Sequence, residues 1–159
     1  MTDQDNNQQK IKDLINKLAL FMNLECQIEF KEENNQDNKS LLVSVYTPEN
    51  ARFLIGKNGQ NLKALEHLIK TISSRQDEHY YNIVVDVNDY KKSRSSYIID
   101  LAKQAVSRVR NTQKAEVLLP MSSYERRIVH MELASYPDVA TESIGEEPQR
   151  RIVIKPYNP

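Results

Sequence analysis

Leu54-Ile55-Gly56-Lys57-Asn58-Gly59-Gln60-Asn61-Leu62-Lys63-Ala64-Leu65 contains two of the three glycines in the chain. A glycine-poor chain places glycine where φ must be positive or where another backbone must come close. Here the pair frames a lysine and an asparagine, with apolar residues on both sides. Pro48 suits a first helical turn, so a short helix is expected over 49–55, ending at Gly56. Beyond Gly59, Leu62, Leu65, Leu68, Ile69 and Ile72 recur at spacings of three and four, which predicts a second helix with one apolar side. Such a loop presents peptide N–H groups and a helix N-terminus, both favourable to anions. Lys57 adds a phosphate partner and Asn58 adds hydrogen-bonding capacity. The alternative is a plain helix-turn-helix connection with no ligand.

Working outward, residues 1–9 are polar and read as a disordered tail. Over 10–23, Ile11, Leu14, Ile15, Leu18, Leu20, Phe21 and Met22 follow helical spacing. Residues 24–31 alternate, with Cys26, Ile28 and Phe30 on one face, and predict a strand. The polar run 32–40 reads as a turn into a second strand over 41–47, a hairpin. A polar connection over 73–79 leads to a strand over 80–87, in which Tyr81, Ile83 and Val85 alternate with polar or outward positions. Asn88-Asp89 can cap a long helix over 90–111. Its apolar face is Tyr97, Ile98, Leu101, Ala102, Ala105, Val106 and Val109. Lys92, Lys103 and Arg110 share another stripe, which reads as phosphate contact or as a solvated face. A short strand over 115–119 follows. Ser122-x-x-Glu125 has capping-box spacing and should open a helix to about residue 135. Strands over 139–143 and 150–155 flank a turn at Gly145.

Composition bounds the function. Of 159 residues, 39% are hydrophobic and 28% charged, which suits a globular chain. No apolar run approaches the roughly 18 to 20 residues of a membrane-spanning helix, and the polar N-terminus has no signal-peptide core. The lone Cys26 cannot form an internal disulfide and reads as packing; a reducing cytoplasm fits. Twenty-two basic residues balance twenty-two acidic ones. The distribution is uneven: residues 51–115 carry twelve basic against six acidic, while 1–50 carry five against nine and 116–159 five against seven. A local excess of positive charge, rather than the total, attracts phosphate. Three scattered histidines and one cysteine show no metal-ligand spacing. There is no Walker-type loop and no legible nucleophile–base pair. His67 and His79 carry no motif.

The order helix, strand, strand, helix, Gly-x-x-Gly, helix, strand, around the quoted stretch, resembles a KH domain of the type II, bacterial arrangement over about 10–88. The second half, 89–159, resembles the small domain named for an Arg-x-x-x-His pair, here Arg126 and His130. The pairing of the two, with Pro120-Met121, Tyr124-Glu125-Arg126-Arg127 and Gly145-Glu146-Glu147-Pro148-Gln149-Arg150-Arg151, resembles the Jag family, the stage III sporulation protein J-associated proteins. The resemblance implies an α+β chain: a KH module (α-β-β-α-α-β) followed by a second module (α-β-α-β-β). It would be a short form without the N-terminal domain of longer Jag proteins.

The resemblance further implies a cytoplasmic single-stranded RNA-binding protein, with single-stranded DNA as a related ligand. It would be an RNA chaperone or post-transcriptional regulator linked to cell elongation and division. No catalytic residue, cofactor, metal or membrane insertion is implied. Gly56, Lys57, Asn58 and Gly59 would clamp the backbone, with Leu54, Ile55, Leu62 and side chains of the 80–87 strand lining a groove for the bases. Arg126 and His130, widened by Arg127, Arg150 and Arg151, would form a second contact surface. Two alternatives stand beside this. One is a protein-interaction scaffold that pairs with a small single-KH protein or with itself as a dimer. The other is a nuclease using His130.

Overall fold

The computed structural model describes residues 3–35, 38–74 and 82–157. The expectations for His79, Tyr80 and Tyr81 fall outside these residues. The chain divides into two compact units, Met1–Lys91 and Lys92–Pro159. Both combine helices with a small sheet, so the chain is α+β, in the element order expected for each half.

In the first unit, helix α1 (Asp3–Phe21) lays Ile11, Ile15 and Ala19 into the core. It starts at Asp3, so the segment expected to be a disordered tail is helical from there. Propagation costs little once packed turns supply a nucleus, and the leading polar residues suit solvated turns. Leu20, Phe21 and Met22 are exposed, contrary to their place in the expected apolar face. Three successive residues span too wide an arc to share one stripe. Asn23 ends the helix at φ 53. The Asn23 N–H donates to the Leu20 carbonyl at 3.1 Å and the Leu24 N–H to the Ala19 carbonyl at 2.8 Å. That is a Schellman stop with asparagine in the left-handed position.

Strands β1 (Gln27–Asn35) and β2 (Asn38–Tyr46) form an antiparallel hairpin. It takes in most of the polar stretch expected to be a turn: Glu32 pairs with Leu41 and Glu33 with Ser40. Backbone ladder bonds do not require apolar side chains, so a hairpin tip can be polar. Strand β3 (Asn82–Val87) lies parallel to β2, giving the order β1-β2-β3. Leu41, Val43 and Val45 with Ile83, Val85 and Val87 face the core. Between β2 and β3 run α2 (Arg52–Ile55) and α3 (Gln60–Ser74). Helix α3 buries Leu62, Leu65 and Ile69, but leaves Leu68 and Ile72 partly in solvent. Burial pushes the half-buried Cys26 thiol up, which suits an unreactive packing residue.

Helix α4 (Tyr90–Thr112) starts two residues before the second unit. The expected cap at Asn88-Asp89 is replaced. Asp86 Oδ1 accepts the Lys91 N–H at 3.1 Å. Asn88 instead brackets the Thr47 backbone, accepting its N–H at 2.9 Å and donating to its carbonyl at 2.8 Å. In the second unit, α4 buries Ile98, Ala102, Ala105, Val106 and Val109. Tyr97, expected on that face, is exposed. A sheet of order β4-β6-β5 is built from β4 (Glu116–Val117), β5 (Val139–Ile144) and β6 (Arg151–Pro156), all antiparallel. Helix α5 (Ser123–Leu133) contributes Val129 and Leu133 to the same core as Ile152 and Ile154.

Candidate nucleic-acid interface

The loop between α2 and α3 has a backbone that its sequence makes necessary. Helix α2 is one turn, closed by the Gly56 N–H on the Arg52 carbonyl at 2.8 Å. Gly56 then takes φ 71, ψ 179, a region open in practice to glycine alone. A Cβ there would sit 2.6 Å from Asn61 Cγ. Asn61 holds its place because its amide donates to the Phe53 carbonyl at 2.8 Å, tying α3 to α2. Asn58 and Gly59 follow at φ 53 and 79. Asparagine tolerates this region better than most residues. A Cβ on Gly59 would lie 2.9 Å from Tyr90 Cε1. Tyr90 therefore backs the loop. Nothing in the sequence marks this tyrosine, thirty-one positions downstream; only the fold brings it there.

Lys57 and Asn58 are exposed at the tip, immediately ahead of the 15-residue α3. Arg52 and Lys63, also exposed, flank them. Carboxylates pair with Lys70, Lys91, Arg94, Lys103, Arg108 and Arg110. Among the described residues, Arg52, Lys57 and Lys63 have no such pair. Three uncompensated positive charges of the middle segment thus lie in and beside the loop. Arg52 lies over the Phe53 ring at 5.1 Å, and Phe53 is 46% exposed, offering an aromatic face beside the cations. Arg52, Phe53 and Lys63 went unmarked in the sequence, although all lie within six residues of Lys57.

One expectation for the loop is corrected, and the open reading of the α4 stripe is decided. Leu62 is buried in the core at 2% exposure, as is Leu54, so neither lines a surface groove. Leu62 falls on the α3 stripe that faces the sheet; Ile55 is half-buried and packs against the core edge. The stripe of Lys92, Lys103 and Arg110 resolves mostly as a solvated, ion-paired face. Lys103 meets Glu132 at 3.1 Å and Arg110 meets Asp138 at 2.6 Å. A cleft of about 650 Å³ opens at Glu25, Cys26, Tyr46, Thr47 and Asn88, and no loop residue lines it. The exposed tip residues Lys57 and Asn58 suit a chain-like ligand.

In the second unit, α5 begins as its sequence predicts. The Ser122 side chain accepts the Glu125 N–H at 3.3 Å, and Glu125 accepts the Ser122 N–H at 2.8 Å. Glu125 also receives Arg94 Nε at 2.7 Å. Burial alone would raise the Glu125 carboxyl, but the bonds from Arg94 and Ser122 outweigh it and hold the group below the usual carboxylate range. A depressed folded-state value stabilises the fold above the unfolded value, about 4.3, and that stabilisation fades as pH falls through the folded value. Melting curves between neutral pH and pH 3 should therefore show a loss in acid that Glu125→Gln reduces. Equal acid sensitivity in the two proteins would refute the assignment.

Arg126 and His130 share a helix face, but they are not free for a ligand. Arg126 is 7% exposed. Its Nη1 donates to the Met121 carbonyl at 2.8 Å, and its Nη2 pairs with Glu147 at 2.8 Å. This corrects the expectation that its fork is offered to phosphate: it fastens the start of α5 to the 145–150 turn. His130 is half-buried, with Nδ1 2.6 Å from Thr141 Oγ1 and Nε2 3.2 Å from Ser143 Oγ. The more accessible cations are Arg127 and Arg150, both exposed. Arg151 is half-buried and donates to the Gln149 carbonyl at 3.0 Å. Periodicity hinted at the exchange, since Arg127 lies off the Glu125–Val129–Leu133 stripe.

Among the described residues, no group of three or more His, Cys, Asp or Glu side chains could hold a metal ion, and no helix is long and apolar enough to cross a membrane.

Comparison with known proteins places a match to the KhpA/KhpB KH domain over residues 8–87. A second match, to the domain family named for its Arg-x-x-x-His pair, covers residues 96–156. The chain is similar to RNA-binding protein KhpB of Clostridium symbiosum, 32% identical over 136 residues, covering 86% of this chain and 59% of that protein. It is 37% identical over 121 residues to RNA-binding protein KhpB of Bacillus subtilis, covering 75% and 58%. With the protein of that name from Lactiplantibacillus plantarum it shares 37% over 101 residues, covering 64% and 31%. The chain thus spans less than two thirds of the length of each of these relatives.

Proposed function

Because the chain belongs to the KhpA/KhpB KH-domain family and carries an Arg-x-x-x-His domain after it, we propose that it binds single-stranded RNA, with the loop Gly56-Lys57-Asn58-Gly59 as the backbone clamp. One observation carries this reading. A loop whose backbone only glycine can follow at Gly56 presents Lys57 and Asn58 at a helix N-terminus, among three cations without carboxylate partners among the described residues. KH modules clamp about four nucleotides with such a loop. Arg127 and Arg150, both exposed, form the second contact surface. Two modest surfaces on one chain gain from effective concentration. No side-chain arrangement at the loop points to catalysis, so the protein is read as a binder.

A role as an RNA chaperone or post-transcriptional regulator in the cytoplasm, linked to cell elongation and division, is proposed with it, on the resemblance to the Jag family alone. Pairing with a small single-KH protein or with a second copy stands on the same footing.

Salt is the direct test. Phosphate contacts release counterions, and for single strands log K falls by about 0.7 per contact for each unit of log salt. With roughly three contacts, affinity for a short single-stranded RNA should fall about tenfold or more between about 50 and 200 mM salt. An affinity that does not change with salt would count decisively against phosphate recognition.

A further inference from the structure

Asn58-Gly59 is the one Asn-Gly pair in the chain. Asparagine is thermolabile, because the backbone nitrogen of the next residue can attack its side-chain amide carbon. A side chain on that next residue hinders the approach, and Gly59 has none. Glycine also leaves the backbone freest to reach the attacking geometry. Every other asparagine of the chain is followed by a larger residue.

The fold leaves this pair open to the reaction. Asn58 is exposed at the loop tip, and among the described residues no hydrogen bond holds its carboxamide. Two other asparagines are tied down. The Asn61 amide donates to the Phe53 carbonyl at 2.8 Å and the Asn88 amide to the Thr47 carbonyl at 2.8 Å. The Gly59 nitrogen is the attacking atom. Its N–H donates to the Gly56 carbonyl at 3.3 Å, beyond the usual range for such a bond. Attack requires rotation about ψ of Asn58, now 29°, and so long a bond restrains it weakly. Charge works in the same direction. The nitrogen must first lose its proton, and Gly59 lies directly ahead of α3, whose N-terminus favours negative charge. Lys57, two residues away, favours it too.

The step balances with water alone. The Gly59 nitrogen, its proton lost to solvent base, bonds to Asn58 Cγ. The Cγ–Nδ2 bond breaks, its electron pair stays on nitrogen, and ammonia leaves after taking up a proton. The resulting five-membered imide adds water across one of its two ring C–N bonds. Opening at Cγ gives aspartate. Opening at the backbone carbonyl gives isoaspartate, with the main chain routed through Cβ. Water enters, ammonia leaves, and nothing is oxidised or reduced.

We propose that Asn58 is a spontaneous modification site, and that its deamidation disarms the clamp, so that the loop carries its own timer. The consequence for RNA rests on the RNA-binding reading above. The new carboxylate repels phosphate and offers Lys57 a partner in its place. In the isoaspartyl product, an added main-chain carbon lengthens the path between Gly56 and Gly59, which pack closely against Asn61 and Tyr90.

The experiment ages the full chain in warm, mildly alkaline buffer and samples it over days. Peptide mass spectrometry reads the exchange of NH2 for OH at each asparagine. Ion-exchange chromatography separates the modified protein by its added negative charge. Asn58 should change faster than any other asparagine in the chain. The modified fraction should bind a short single-stranded RNA about tenfold more weakly than the unmodified fraction of the same preparation, read by fluorescence anisotropy. Asn58→Gln, whose longer side chain would have to close a six-membered ring, should keep its own fresh affinity on ageing. If Asn58 stays intact in the folded protein while it reacts in the denatured chain, the fold protects it and the inference fails. Equal RNA affinity of the two fractions overturns it as well, with RNA binding left standing. Fresh protein that binds no RNA overturns the RNA-binding reading and the disarming with it, even where mass spectrometry finds Asn58 modified.

Discussion

Replacing Lys57 and Asn58 together by aspartate should weaken single-stranded RNA binding about a hundredfold, with the fold intact. The size follows from what is removed. A hydrogen bond to a charged group contributes about 1.5–3 kcal/mol, and two new carboxylates at the tip would also repel phosphate. A loss of about 2.7 kcal/mol corresponds to a hundredfold change. Stability should move little, because both side chains are exposed at the loop tip and belong to no buried core. Aspartate also tolerates the φ of 53 at residue 58. Anisotropy titration and thermal melting, run on the same preparations, give the two readouts. An affinity within about threefold of the unaltered protein, with an unchanged melting curve, would remove the clamp from the account.

The second large effect is on stability. Arg126→Ala should destabilise the second unit by about 2 kcal/mol, since it leaves the Met121 carbonyl without its donor and Glu147 without its partner. Breaking a wholly buried pair costs more, but the Glu147 side chain is 59% exposed and can be resolvated. Arg127→Ala, at an exposed site, should leave melting nearly unchanged while lowering RNA affinity by a few fold. Denaturant titration of the two variants separates the roles. If Arg126→Ala melted like the unaltered protein and lost RNA affinity tenfold, Arg126 would be a ligand contact and not a tie.

The contrast between the two sites shows how far a sequence carries. Gly56 and Gly59 announce their backbone through residue type alone, and Asn58 supports them. Ser122 and Glu125 announce a helix start just as directly, and both halves of the capping box form. The alternation of Ile83, Val85 and Val87 marks the buried face of β3. Arg126 was different. Its spacing from His130 placed both on one helix face, but spacing does not say whether that face meets water, a turn or a ligand. Leu62 was misplaced for the same reason, since an apolar residue beside a binding loop suits a groove and a core equally well.

What the sequence determined was therefore local: where the chain turns, which residues must take positive φ, where a helix is capped, and which element follows which. These rest on steric and hydrogen-bonding preferences that act over a few residues, so the chain states them directly. The tertiary structure alone decided which charges remain uncompensated. Glu66 takes up Lys91 from twenty-five residues away, Arg110 goes to Asp138, and Arg126 is spent on Met121 and Glu147. Arg52, Lys57 and Lys63 are left around the clamp. Ion pairing and burial depend on which elements packing brings together, and no short stretch of sequence contains that information.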